Sequence, residues 1–154
     1  MSKYIWDYIT YDEYKCRCCN RMPPDFYDEN GHLHPDVPEI YRPLFKAFVD
    51  IRGKWGQSIP ITDGYRCIER HKRLYKQGIS TAWLSPHVLG LALDLDFKNQ
   101  DDVMKAAQII KNCHSKLRLG YKQYLYKGQS FLHIDTAYLV KPYFIPEWRE
   151  SARW

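Results

Sequence analysis

Two stretches of strict alternation do most to limit how this 154-residue chain can fold: Gly90-Leu91-Ala92-Leu93-Asp94-Leu95-Asp96-Phe97 and Phe131-Leu132-His133-Ile134-Asp135. A period of two marks a β-strand, because side chains two apart point to the same side of the pleat. On the first stretch Leu91, Leu93, Leu95 and Phe97 share one face, while Gly90, Ala92, Asp94 and Asp96 share the other. On the second, Leu132 and Ile134 oppose His133 and Asp135. Each strand can bury an apolar side and turn a small, polar side toward a cleft.

Helical spacing surrounds these strands. From Pro38 to Trp55, Ile40, Leu44, Phe45, Phe48 and Ile51 recur on one face. Asp36 is placed to cap that helix, Pro38 stands in its first turn, and Gly53 and Gly56 are its stops. Pro43 is unsuited to a helix interior, so the regular part is expected to begin there. Ser58–Thr62 reads as a short strand ending in the turn Asp63-Gly64, and Cys67–Gln77 as a second helix closed by Gly78. After a loop over 79–88 and the first alternating strand, Gln100–Lys111 reads as a third helix. Val103, Ala106, Ala107 and Ile110 form its inner face, and Asn99 is its cap. Leu117–Leu125 and Ser130–Thr136 read as paired strands turning at Lys127-Gly128. The fold class is therefore α+β: a small, mainly antiparallel sheet flanked by about three helices. The chain reads as a single domain over 1–154. Residues 1–36 form an irregular N-terminal wrap, and 137–154, with Pro142 and Pro146, form an aromatic tail packed on the core.

Composition excludes several classes. No apolar run approaches the ~20 residues that span a bilayer, so no membrane partner is expected. Met1 to Asp7 lack the apolar stretch of a secretory signal, so the chain is expected to be cytoplasmic as synthesised. The net charge of +5 favours anionic partners. The basic residues are scattered, with one loose cluster from Arg66 to Lys76, and form no stripe to track a phosphate backbone. Nucleic acid is not an expected partner; a monomer is expected. The five cysteines are an odd number, so at least one is unpaired. Cys16 and Cys19 with a distant ligand suit a structural zinc. The second C-x-x-C pair of such sites is missing, which favours reduced thiols.

His87, Asp94 and His133 offer two imidazoles and a carboxylate. Three N/O ligands with one open position make a catalytic zinc site. Gly90 would allow the bend that brings a loop histidine to a strand aspartate. Read from the residues alone, the triplet serves equally well as zinc ligands or as hydrogen-bonded structural side chains. His32, His34, His71 and His114 have no pattern that places them with it.

Ser85-x-His87-x-x-Gly90-x-Ala92-x-Asp94, followed by an aromatic-Leu132-His133-x-Asp135 segment, closely resembles the zinc D-alanyl-D-alanine peptidases. That group includes bacterial and phage peptidoglycan carboxypeptidases and endopeptidases, and its wider superfamily includes the hedgehog signalling domain. Thr62-Asp63-Gly64-Tyr65-Arg66 resembles the family's Ser-Gly-Tyr-Arg turn, and Tyr11–Cys16 its opening segment, so the resemblance runs from about Tyr11 to Thr136. It implies one Zn2+ held by His87, Asp94 and His133, with water in the fourth position. It implies Arg66 as a catalytic and substrate-binding guanidinium, where the bland alternative is a salt bridge. Ser85 stands near the metal, either binding substrate or shaping the turn before His87. Several branches carry an acidic general base three positions before the last histidine. Here that position is Ser130, which cannot accept a proton from water near neutral pH. Asp135 is then either the base or the carboxylate that orients a zinc histidine. The function implied is a zinc peptidase acting on peptidoglycan stem peptides or cross-links, of the phage endolysin type, which reaches the cell wall after release. The alternative is a non-catalytic zinc-binding or recognition module with a degenerate site.

Overall fold

The computed structural model describes residues 3–80, 84–140 and 147–154. In chain order they form β1 (Tyr4–Trp6), β2 (Ile9–Thr10), α1 (Tyr11–Tyr14), α2 (Arg42–Trp55), β3 (Ile61–Asp63) and α3 (Ile68–Lys76). Then come β4 (Ala92–Asp96), α4 (Gln100–Cys113), β5 (Arg118–Gly120), α5 (Lys122–Tyr126) and β6 (Phe131–Asp135). β1 and β2 make a small antiparallel ribbon, and the other four strands an antiparallel sheet in the order β3-β4-β6-β5. The fold is α+β. Part of the expected 79–88 loop (81–83) and of the C-terminal tail (141–146, with Pro142 and Pro146) lies outside the described residues. Among the described residues no helix is long and apolar enough to cross a membrane.

The alternation does what its period requires. Leu93, Leu95, Leu132, Ile134 and Leu119 are fully buried in one core with Val103, Ala106 and Ile110 of α4 and Leu44, Phe45, Phe48 and Ile51 of α2. Each of the larger side chains contributes roughly 2 kcal/mol when removed from water. α4 packs on both β6 and α2, which leaves the sheet's other face free to carry polar groups.

Several boundaries differ from the sequence reading. α2 begins at Arg42, so Pro43 stands in the first turn, where its missing N–H breaks no helical bond. A 3-10 turn over Glu39–Tyr41 leads into it, so Asp36 caps nothing. The helix runs through Gly53 and ends at Gly56, whose φ is 81°. β3 starts after Pro60, which cannot donate to a ladder, and takes in Asp63. Residues 4–14, read as irregular, carry β1, β2 and α1. A capping box starts α1: Glu13 N–H donates to Thr10 Oγ1 and Thr10 N–H to the Glu13 carboxylate.

The largest correction concerns Leu117–Leu125, read as one strand. The strand ends at Gly120, and Lys122–Tyr126 is helical. The reason lies in the far edge of β5. The Trp154 carbonyl accepts from Tyr121 N–H at 2.7 Å and Lys122 N–H at 2.9 Å, which ends the ladder. Beyond it, Lys122-Gln123-Tyr124-Leu125 contains no β-branched residue to resist a helical turn. Tyr124 then stacks on Phe131 with ring centroids 4.0 Å apart, fixing α5 against β6.

Candidate metal centre

Strand register assembles most of the site. Asp63 of β3 pairs with Asp94 of β4, Asp94 with His133 of β6, and His133 with Gly120 of β5. That row crosses the polar face of the sheet. The next row pairs Ala92, Asp135 and Arg118.

His87 arrives from outside the sheet, on a 3-10 turn over Pro86–Leu89. Ser85 Oγ accepts the His87 N–H at 3.3 Å and starts this turn. Gly90, at φ 74°, ends it and redirects the chain into β4. A Cβ there would sit 2.6 Å from Tyr14 Oη and 2.7 Å from Pro23, so the position is closed to other residues on two counts. Tyr14 of α1, fully buried, donates its hydroxyl to the Gly90 carbonyl at 2.6 Å and locks the bend.

The three side chains converge. A nitrogen of each imidazole and an oxygen of Asp94 lie within 4.8 Å of one another. His87 Nε2 is 3.2 Å and His133 Nδ1 3.0 Å from the same oxygen, Asp94 Oδ1. The protonation of each ring is fixed from behind. His87 Nδ1 faces the Gly64 carbonyl at 2.6 Å, an acceptor only, so Nδ1 carries a proton and donates. His133 Nε2 faces Asp135 Oδ2 at 2.6 Å and likewise donates. Two imidazole lone pairs are thus aimed at one carboxylate oxygen. Such a set is stable only with a cation among them, either a proton or a metal ion. Without a metal, burial works against the charged form of His133, but the bonds to Asp135 and Asp94 outweigh it and push its pKa up to about 9. Asp94 is held far below the usual carboxylate range; burial opposes this, and His87 and His133 outweigh it. The donor set, two neutral imidazoles and a carboxylate with hydrogen-bonded backs, fits zinc.

These groups line a cleft of about 300 Å³ together with Arg66, Ser85, Arg118, Tyr124, Glu147 and Trp154. Arg66 is buried and fixed by Asp63, its Nη2 donating to Asp63 Oδ2 at 2.7 Å; its buried Nε has no hydrogen-bond partner among the described residues. Asp63 also accepts from Arg70 at 2.7 Å. Asp135 is fully buried behind His133, outside the cleft lining, with Oδ1 taking the Ala137 N–H at 3.0 Å. Ser130 is turned away, its hydroxyl donating to the Phe97 carbonyl at 3.1 Å. Asp96 is exposed, and His71 is buried beside Arg66 outside the cleft lining.

Several cleft groups escaped the sequence reading. Asp63 was legible only as part of a turn. Arg118 stands beside Asp135 in the register, its Nε 3.6 Å from Asp135 Oδ1 and its guanidinium over the Trp154 ring. Trp154 packs against Gly120, 5.4 Å from the His133 ring, and no local pattern signals that approach. Glu147 lies twelve residues beyond Asp135, outside every motif.

A profile of the family described as Peptidase M15 matches residues 8–135, a span that holds His87, Asp94, His133 and Arg66 but not Glu147 or Trp154. The comparison with curated proteins finds no match. The matched span covers most of the chain, which therefore belongs to the peptidase M15 family and is a peptidase, with a peptide as its substrate.

Proposed function

We propose that this M15 peptidase holds one zinc ion on His87, Asp94 and His133 and hydrolyses amide bonds in peptidoglycan stem peptides or cross-links, in the manner of a phage endolysin. The observation that carries the reading is the pair of imidazole lone pairs aimed at one Asp94 oxygen in the wall of a cleft. Zinc bound there supplies a Lewis acid for the scissile carbonyl and acidifies water.

The other roles fall to the chain's own groups. Peptidoglycan stem peptides carry free carboxylates, and the Arg66 and Arg118 guanidinium groups in the cleft lining are the cations to receive them. Asp63 holds the Arg66 fork in place. Asp135 orients His133 and strengthens it as a ligand. Its oxygens are engaged behind the ring, so proton transfer passes to Glu147, the carboxylate that lines the cleft outside the trio among the described residues. Ser85 shapes the His87 turn. The net charge of +5 draws the protein toward an anionic cell wall.

Digestion of purified peptidoglycan, followed by mass spectrometry of the released fragments, tests this. New stem-peptide termini should appear with zinc-loaded protein, vanish with a chelator and return with zinc. Intact peptidoglycan from protein carrying zinc on the trio would overturn peptidoglycan as the substrate of this peptidase.

A further inference from the structure

A second group of metal-capable side chains lies away from the cleft. The sulfurs of Cys16, Cys19 and Cys67 are within 4.8 Å of one another, and none of the three is in a disulfide. Sulfurs around a tetrahedral zinc, each ~2.3 Å from the metal, stand about 3.8 Å apart. Small side-chain rotations reach that geometry.

The backbone is already arranged for thiolates. Cys16-Arg17-Cys18-Cys19 is a tight turn, in which Asn20 N–H donates to the Cys16 carbonyl and Cys16 N–H to the Arg21 carbonyl. Within it the Cys18 N–H points at Cys16 Sγ at 3.4 Å, and the Cys67 N–H reaches the same sulfur at 3.3 Å from a different part of the chain. Cys67 caps α3, its own sulfur accepting the Arg70 N–H at 3.5 Å. N–H donors of this kind favour the ionised sulfur. Burial pushes the Cys16 thiol up, but these bonds outweigh it and bring it down to about 7. Cys67 is pushed up to about 11, first by burial and then by facing Cys16 and Cys19.

We propose that Cys16, Cys19 and Cys67 bind a single thiophilic divalent ion of the zinc class, in a structural site separate from the His87–Asp94–His133 trio. Three thiols release their protons to solvent as three metal–sulfur bonds form, with no change of oxidation state. Cys19 is exposed and leaves the fourth position to solvent. The ion would clamp the N-terminal turn to the residue that follows Arg66. Tyr65 N–H already joins the same two segments by donating to the Tyr14 carbonyl at 2.7 Å.

The test is ion content of reduced protein, stripped and reloaded with zinc alone. Wild type should hold two zinc ions per chain, H133A one and C19S one. C113S, which alters an exposed thiol at the end of α4, should hold two. Cys16 is fully buried and C16S risks misfolding, so the exposed Cys19 carries the test. Cobalt-loaded wild type and H133A should both show sulfur-to-cobalt charge-transfer bands that C19S lacks. Equal zinc content in wild type and C19S overturns the proposal. So does a non-reduced wild type lighter by two hydrogens through a disulfide within the three cysteines. H133A retaining both ions would count against the cleft site alone and leave this one standing.

Discussion

The two three-residue clusters are alike in reach and opposite in surroundings. His87, Asp94 and His133 sit in a cleft wall, each imidazole held from behind by an acceptor and each lone pair aimed at one oxygen. Cys16, Cys19 and Cys67 sit on a turn and a helix start, bound by backbone N–H groups, and line no part of that cleft. Ligand capacity does not separate them. What separates them is the space beyond the ligands: a cleft lined by two arginines in one case, the joint between two chain segments in the other. The first suits reaction and the second suits fastening.

The sharpest way to break this contrast is to remove a ligand from each side. Asp94→Ala and His133→Ala should bring peptidoglycan hydrolysis to background while the cysteine-bound ion stays, as read by activity and ion content together. Next in size is Asp135→Asn. It keeps the shape but loses the charge behind His133 and should weaken metal affinity or activity by about 10–100-fold. Excess zinc should restore much of that loss. If D135N abolished hydrolysis with zinc fully bound, Asp135 would be the proton acceptor after all, and Glu147 would not.

How legible each cluster was in the sequence follows from how it is built. The histidine–aspartate row rests on period-two alternation in two strands, and cross-strand register carries that pattern directly into space. His87 was legible because Gly90 marks the bend that returns it to Asp94. Leu117–Leu125 misled because the end of its strand is decided by a carbonyl at Trp154, which no local pattern announces. Arg118 and Trp154 entered the cleft through that same remote pairing. For the cysteines the C-x-x-C half was visible, but Cys67 joins it only through tertiary contact, which spacing along a chain cannot reveal.

A milder break comes from the fastening side. Cys19→Ser should lower hydrolysis only several-fold, chiefly by raising KM, because Cys67 follows Arg66 directly and a looser turn holds the guanidinium less firmly. The accompanying fall in melting temperature should be shared by wild type whose thiol-bound ion is stripped, but not by H133A. A kcat loss in C19S as deep as that in D94A would erase the distinction between reaction and fastening.

The smallest effects separate the joint between the clusters from the rest of the surface, and acid is the probe. Asp63 supports the Arg66 turn; burial would raise its pKa, but His87, Arg66 and Arg70 outweigh that and hold it below 3.8. A carboxyl depressed in the folded state stabilises fully above its unfolded value and loses that contribution as pH falls through the folded one. Below about pH 4 wild type should therefore lose stability that Asp63→Asn no longer has to lose. At neutral pH D63N should cost about 3 kcal/mol, because it leaves Arg66 buried without its counter-charge. Asp50 is depressed in the same direction, first by its bond to His114, yet its side chain is 45% exposed. Solvent screens such a pair, so Asp50→Asn should change stability by no more than about 0.5 kcal/mol and leave the acid limb nearly intact. Urea unfolding from pH 3 to 7 measures both. If D50N flattened the acid limb as much as D63N, burial at the Arg66 turn would not be what makes that carboxylate matter.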